Sequence, residues 1–368
     1  MNHIHKSEIH GPWMGAIKQI YTIVTNIIFC IDNKKSIFVC GRFLNEIYSD
    51  KTTPISQILN LSKINAFLYN QYKIIMVDVS DPQFKILKVK YGSNDMNIDI
   101  TEDILQRCNY INNSFVIPKT INLNKIKGDP ALGHMKQVFI EYSLNGYTFK
   151  EEYKESYNTL VEDIVYNFNI NNLNTITWGY SNENKNLFDF IIKHISFNDL
   201  YETVAKTYLE TYFDLSKSNK INIIHLRLEN DAIVHWGRLN NIRPFELKIL
   251  LEEKYIEIIR KNIKKSDKNI ILSYSETNEV IRYMKMNGYD IHFIPKNKLL
   301  GREINAVMDL CLSQACNNIF IGNYNPHLKE VNGSTFSYYI SQHLDKNVKQ
   351  ILIELEHIFK PEVVYFSE

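Results

Sequence analysis

In the second half of the chain, hydrophobic positions fall in short, nearly unbroken runs separated by amphipathic stretches. KINIIHLRL, KNIILSYS, YDIHFIP and NNIFIGN are rich in β-branched and aromatic residues, the pattern of strands buried on both faces. Between and after them the apolar residues recur at helical intervals. That spacing predicts helices over Pro244 to about Lys264, Glu276 to Met286, Arg302 to Ala315, and Ser334 to His343. Pro244 suits a first helical position, where the missing N–H has no intrahelical partner to lose. Asn287-Gly288 supplies a stop. Strands alternating with helices predict a parallel sheet covered on both faces, a Rossmann-like domain from about Asn219 to about Asp345.

The first half is less regular. Met14 to Cys30 reads as a helix, and KSIFVCGRF, KIIMVDVSD and FKILKVKYG as strands. Helices are expected at Leu160 to Phe168 and Leu187 to His194, giving a second α/β domain with long connections. Asn198 to Phe213 reads as a helix leading into the second domain. Val348 to Phe359 reads as a last helix that packs back on the first. The expected division is therefore 1–197, 198–345 and a C-terminal helix within 346–368. No internal repeat is found.

Composition narrows the function. The 368 residues are 45% hydrophobic and 23% charged, with a net charge of +1. That balance fits a soluble globular protein with a core and offers no polyanion-binding surface, so nucleic acid is not an expected partner. The five cysteines are odd in number, lack a CxxC pair and sit in apolar runs, which predicts free buried thiols in a reducing compartment. No stretch approaches the roughly 20 apolar residues of a membrane helix. MNHIHKSEIH lacks the apolar segment of a signal peptide, and the expected location is cytoplasmic. Tracts such as NFNINNLN are short and bounded by apolar residues, so they do not read as disorder.

The candidate chemistry lies where the strands end. In an open parallel sheet, ligands bind beyond the carboxyl ends of the strands. That edge should collect His225, Arg227 and Asp231 after the first strand, Ser273 to Glu276 after the second, and Asn323 onward after the fourth. The fourth connection closes with VNGSTFSYYI, where Gly333 permits a tight turn and Ser334, Thr335 and Ser337 crowd a helix start. Outward N–H groups and the helix dipole there favour an anion such as phosphate. By itself Ser334 also reads as an ordinary N-cap. Arg227 on the same edge is what favours a diphosphate, because a guanidinium offers phosphate oxygens a fork of donors.

HLRLEND resembles the HxRxxxD element of the fucosyltransferase superfamily, most closely the protein O-fucosyltransferases. REINAVMDLCLSQACNNIFIGN followed by GSTFS is similar to that family's distal donor motif: a helix with a V-D-L tripeptide, a strand ending F-I-G-N, and a serine-rich turn before phenylalanine. GPWMG and TTPISQIL resemble its acceptor-side segments more faintly. The strong similarity covers about Ile221 to Ile340. It implies an α/β chain of GT-B fold, with two Rossmann-like domains facing across a cleft and GDP-fucose on the C-terminal one. His225 and Asp309 would lie near guanine or ribose, and Arg227 would contact the diphosphate as the catalytic residue. Asn323, Ser334, Thr335 and Phe336 would complete the donor site. Gly11, Trp13, Gly15 and Glu46 would fall on the acceptor side.

The activity so implied is metal-independent, inverting transfer of fucose to a hydroxyl of a glycan or protein. It needs no cofactor beyond the donor substrate. A base must come from across the cleft, with Glu8, His10 and Glu46 as candidates. No HxxxH or DxD element is present, and His3, His5 and His10 read as a terminal tail rather than a metal site. Glu229 reads as a solvated charge, and Trp13 equally as a core aromatic.

The chain departs from the family in three places: GPWMGA lacks an asparagine after its second glycine, YNPHLKEVN lengthens a loop, and SYSET lacks a customary aspartate. Two alternatives therefore stay open: a relative using GDP-mannose or a UDP-sugar, and a catalytically silent glycan- or protein-binding fold. The sequon Asn332-Gly333-Ser334 would carry a glycan onto the expected phosphate cradle, which fits a protein kept out of the secretory lumen. Acceptor, linkage and oligomeric state are left open by the sequence.

Overall fold

The computed structural model describes residues 3–11, 14–46, 49–156, 159–170, 184–213, 220–294, 296, 300–324, 333–355 and 358. Trp13, the loop after Tyr324, Asn332 and the chain beyond 358 lie outside the described residues. The fold is mixed α/β and divides into two units. One holds Met1–Gly11, Tyr21–Phe43 and Thr52–Gly179; the other holds Pro12–Ile20, Leu44–Lys51 and Tyr180–Glu368. Two short segments of the first half thus cluster with the second unit.

The first unit contains a three-stranded parallel sheet of Ile4–Ser7, Ile37–Cys40 and Ile75–Asp78, with Ile37–Cys40 in the middle. Beside it in sequence lies a five-stranded antiparallel sheet centred on Gln137–Leu144, which pairs with Phe84–Gly92 and Tyr147–Ser156. The pattern reading has only its Phe84–Gly92 strand and misses the hairpin of Gln137–Leu144 and Tyr147–Ser156, although Asn145-Gly146 marks it. Both residues have positive φ, 50° and 84°, the conformation a two-residue hairpin turn requires. Val138, Ile140, Tyr142 and Leu144 alternate inward and share a core with Val39, Val77, Val89 and Tyr91.

Two helix expectations fail. Ile164–Asn167 is a strand paired with Ser114–Ile117, because burial alternates: Ile164 and Tyr166 face inward while Val165 is exposed. Lys349–Leu352 is also a strand, lying parallel to Ile319–Gly322 at the edge of the second unit's sheet. The β-branched Ile351 and the edge position favour extended backbone there.

The second unit carries five parallel strands: Ile221–His225, Lys268–Leu272, Asp290–Phe293, Ile319–Gly322 and Lys349–Leu352. Numbered in that chain order, they lie 3-2-1-4-5 across the sheet, a doubly wound Rossmann-like arrangement. Ile224, Ile271 and Ile321 pack against Trp236, Leu251, Tyr255, Ile259, Val280 and Met284. These come from helices Asn230–Leu239, Pro244–Asn262 and Glu279–Met286. Helices Asp199–Tyr212 and Arg302–Ser313 pack on one another. Asn222, Asn269 and Asn318 join side chains across the first, second and fourth strands at their amino ends, at 2.7–2.9 Å. The polar row sits at the edge opposite the candidate site.

Order reversal places a crevice between the first strand and the fourth, beyond His225 and Gly322. Gly322 lets the following helix approach: a Cβ there would meet Ser337 Oγ at 2.6 Å and Phe320 Cζ at 2.9 Å. Gly322→Ala is therefore expected to cost about 1–3 kcal/mol of unfolding free energy through overpacking. Urea denaturation checks this, and an unchanged midpoint would show that the helix yields without strain.

Candidate functional site

The crevice is closed by one hydroxyl. Ser337 Oγ lies 2.7 Å from His225 Nδ1 and accepts the Asn323 N–H at 3.2 Å. Ser337 is placed by the turn before it. Gly333, at φ 134°, stands close against Asn323 and Tyr324, where a Cβ would meet Asn323 O at 2.9 Å. Ser334 N–H donates to that same carbonyl at 2.8 Å. Ser334 is also the N-cap of helix Thr335–His343, its side chain accepting the Ser337 N–H. Capping and a helix terminus at the sheet edge therefore coexist. The Phe336 ring lies 4.8 Å from the His225 ring. The Asn323 side chain is buried, and neither its oxygen nor its nitrogen has a partner among the described residues.

His225 is a neutral element of this wall. Burial, aided by the nearby charges of Arg227 and Lys296, pushes its pKa down to about 3. Its carbonyl accepts from the hydroxyl of buried Tyr255 at 2.8 Å. Positive charge at the crevice comes instead from the cations around it.

Arg227 is one of them, and it is held on both sides. Nη1 donates to Glu229 Oε2 at 2.8 Å and Nη2 to Asp231 Oδ2 at 2.7 Å. Burial works against the Arg227 charge, but the two carboxylates more than offset it and raise its pKa. Burial likewise opposes the Asp231 charge, yet Arg227 and Arg302 hold its carboxyl below the ordinary range. Glu229 is half-buried rather than a solvated strand-end charge; its other oxygen accepts the Tyr274 N–H at 3.2 Å.

Lys296 is the second cation, and the sequence reading passed over it. Its ammonium donates to both oxygens of Asp309 at 2.5 Å. Burial raises the Asp309 pKa even so. Asp309 is thus one half of an ion pair, not a bare carboxylate. The lysine has little sequence signal, lying in a polar connection outside every motif.

The remaining expected residues divide. Gly15 stands beside Glu303, where a Cβ would lie 3.2 Å from Oε2. Thr335 opens the helix at the crevice. Glu46 is exposed. Gly11, Glu8 and His10 cluster with the first unit, where Glu8 and His10 are 3.6 Å apart. All five cysteines are free and buried. Among the described residues, no helix is long and apolar enough to cross a membrane, and no group of three His, Cys, Asp or Glu side chains forms a candidate metal site.

No family model and no curated protein matches the chain. Among solved structures it is similar to POFUT1, a protein O-fucosyltransferase, in complex with GDP. The identity is 11%, over 96% of this chain and 98% of that one, with a TM-score of 0.48. A POFUT1 complex with GDP-fucose gives 12%, 96%, 98% and 0.48. A further GDP complex gives 11%, 96%, 99% and 0.49.

The Asp309–Lys296 pair makes a pH-dependent prediction. Removing the cation from a buried carboxylate is costly, though Lys296, 32% exposed, leaves part of the pair screened. Lys296→Met should lose about 1–3 kcal/mol near neutral pH. Burial already lifts the folded-state pKa of Asp309 above its unfolded value, and losing Lys296 lifts it further. The penalty is thus fully expressed above the folded pKa and shrinks as Asp309 protonates in acid. Urea unfolding across pH checks it; a penalty that grows in acid would contradict the assignment.

Proposed function

We propose that the chain is an inverting, metal-independent glycosyltransferase of GT-B type that uses a GDP-sugar, with GDP-fucose the favoured donor and a glycan or protein hydroxyl as acceptor. The observation that carries this reading is the convergence at the switch point. The HLR and GSTFS elements, far apart in sequence, meet through the 2.7 Å contact of His225 with Ser337. Arg227 lies two residues past that contact and the helix N-terminus at Thr335 two residues before it. A diphosphate bound there faces a guanidinium on one side and helix N–H groups on the other.

The chemistry follows from charge. Breaking a glycosyl–phosphate bond builds negative charge on the departing GDP, and a cation already oriented there lowers the barrier. Arg227 is oriented in advance by Glu229 and Asp231. Neutral His225 lines the site without competing for phosphate. Asp309 favours guanine, whose N1–H and exocyclic amine present two donors that uracil cannot copy.

One observation favours the silent-binder alternative. Arg227 donates to two carboxylates, through Nη1 to Glu229 and Nη2 to Asp231, so an incoming anion has to share those nitrogens.

Two measurements decide between the readings. In thermal shift, GDP at a hundred times its dissociation constant should stabilise the protein by about 2.7 kcal/mol, with a much smaller effect of UDP. Asp309→Asn should lose that preference; equal, weak shifts with both nucleotides on the unaltered protein would remove the guanine assignment. In a turnover assay with GDP-fucose, Arg227→Lys should keep the charge between Glu229 and Asp231, and hence the fold. Its rate should drop about 10²- to 10³-fold, because an ammonium lacks the fork geometry. A wild-type rate in Arg227→Lys would sink the role given to the guanidinium.

A further inference from the structure

Arg227 belongs to a longer chain of charges that ends at Ala16, the residue that follows GPWMG. From the Tyr274 N–H the order runs Glu229, Arg227, Asp231, Arg302, Glu303 and then the Ala16 N–H. Arg302 Nη2 is 3.9 Å from Asp231 Oδ2, and its Nε is 3.7 Å from Glu303 Oε1. Glu303 Oε2 accepts the Ala16 N–H at 2.6 Å, at the first residue of helix Ala16–Asp32. All of these residues cluster in the second unit.

We propose that Glu303 is a positioning residue for the transfer reaction: it anchors the start of the Gly15–Ala16 segment with one oxygen and, through Arg302 and Asp231, sets the orientation of Arg227 with the other. The inference rests on the reading of Arg227 as the diphosphate contact. The surroundings are built for it. The neighbouring Gly301 admits no side chain, since a Cβ would lie 2.2 Å from Asn45 O, and the Glu303 N–H donates to that carbonyl at 2.9 Å. Gln19 binds the Ala16 segment to the same strip through Leu44, its amide donating to Leu44 O at 3.1 Å and accepting from Leu44 N at 2.8 Å. Glu303 is buried, and among the described residues its Oε1 has no hydrogen-bond partner, only the longer ion pair to Arg302. Burial pushes its carboxyl pKa up, so keeping the charge there costs stability. A plain helix cap does not need that charge, since a neutral amide oxygen would serve.

Removing the charge alone separates the two roles. In Glu303→Gln the amide oxygen still accepts from Ala16, but Arg302 loses one of its two carboxylates and closes on Asp231. That draws Asp231 from Arg227 and leaves the guanidinium held only by Glu229, about which it can turn. Orientation matters in the transition state more than in ground-state binding.

The test uses the full chain with GDP-fucose and reads GDP released by hydrolysis, in which water takes the fucosyl group in place of an added acceptor. Glu303→Gln should melt no lower than wild type and keep its GDP-induced shift. Its kcat should fall at least about tenfold with the donor KM within about threefold. Arginine-selective ¹⁵N NMR, with Arg227→Lys to assign the signals, should show separate Arg227 Nη resonances in wild type and averaged ones in Glu303→Gln. Glu303→Ala should instead lose the cap as well and melt lower. A Glu303→Gln variant with wild-type kcat, or with unaltered Arg227 resonances, would overturn the proposal. Wild-type protein that neither binds GDP nor releases it from GDP-fucose defeats the reading of Arg227, while the resonances still decide whether Glu303 orients it.

Discussion

At the reversal of strand order, Ser337 Oγ stands within hydrogen-bond reach of both the His225 ring and the Asn323 N–H, and much of the site takes its geometry from that meeting. The contact demands a helix start pressed against the end of a strand. Gly322 permits it, since a side chain there would occupy the hydroxyl's place. Gly333 permits the turn by adopting a φ of 134° close against Asn323. The hydroxyl in turn fixes one face of a neutral imidazole, and the imidazole carries Arg227 two residues farther along the same chain.

Electrostatics around that contact is nearly balanced within the protein itself. Arg227, Lys296 and Arg302 supply three cations, set against the four carboxylates of Glu229, Asp231, Glu303 and Asp309. The carboxylates are not equivalent. Asp231 is held below the usual range by its arginines, whereas burial raises Glu303 and Asp309. On the proposed function, a diphosphate entering the site would exchange carboxylate partners for phosphate oxygens. Its affinity is then a difference between two sets of ion pairs, which makes it sensitive to their geometry and modest in size.

Much of the second unit was legible in the sequence because parallel strands buried on both faces carry an uninterrupted apolar signal. Helix ends were readable from Pro244, Asn287-Gly288 and Ser334, each with its own chemical reason. The antiparallel hairpin went unread because YTFKEEYKES alternates with charged residues on its open face, though Asn145-Gly146 announced the turn. The strands at Ile164–Asn167 and Lys349–Leu352 are only four residues each, too short for period two and helical spacing to be told apart. In the site, His225, Arg227, Asp309 and Ser334 were singled out from their motifs, Arg302 and Glu303 opened the REINAVMDL motif without being assigned a role, and Lys296 lies outside every motif. Only Glu303 left a trace. It falls on the helix phase of Val307 and Leu310, four and seven residues on, where a charge is out of place.

That misplaced charge also accounts for an organisation no linear reading contains. Residues 12–20 and 44–51 precede the second unit by more than a hundred positions yet cluster with it. Glu303 holds the first of these segments at Ala16, Gln19 joins it to the second at Leu44, and Asn45 returns to the backbone of Glu303. The three contacts close a ring around the amino end of helix Arg302–Ser313, the helix that carries Asp309 farther along. A boundary drawn at a single residue cuts this ring. The physical unit is the set of groups that satisfy one another's hydrogen bonds, and here it joins the helix start at Ala16, near the beginning of the chain, to the charged edge of the parallel sheet.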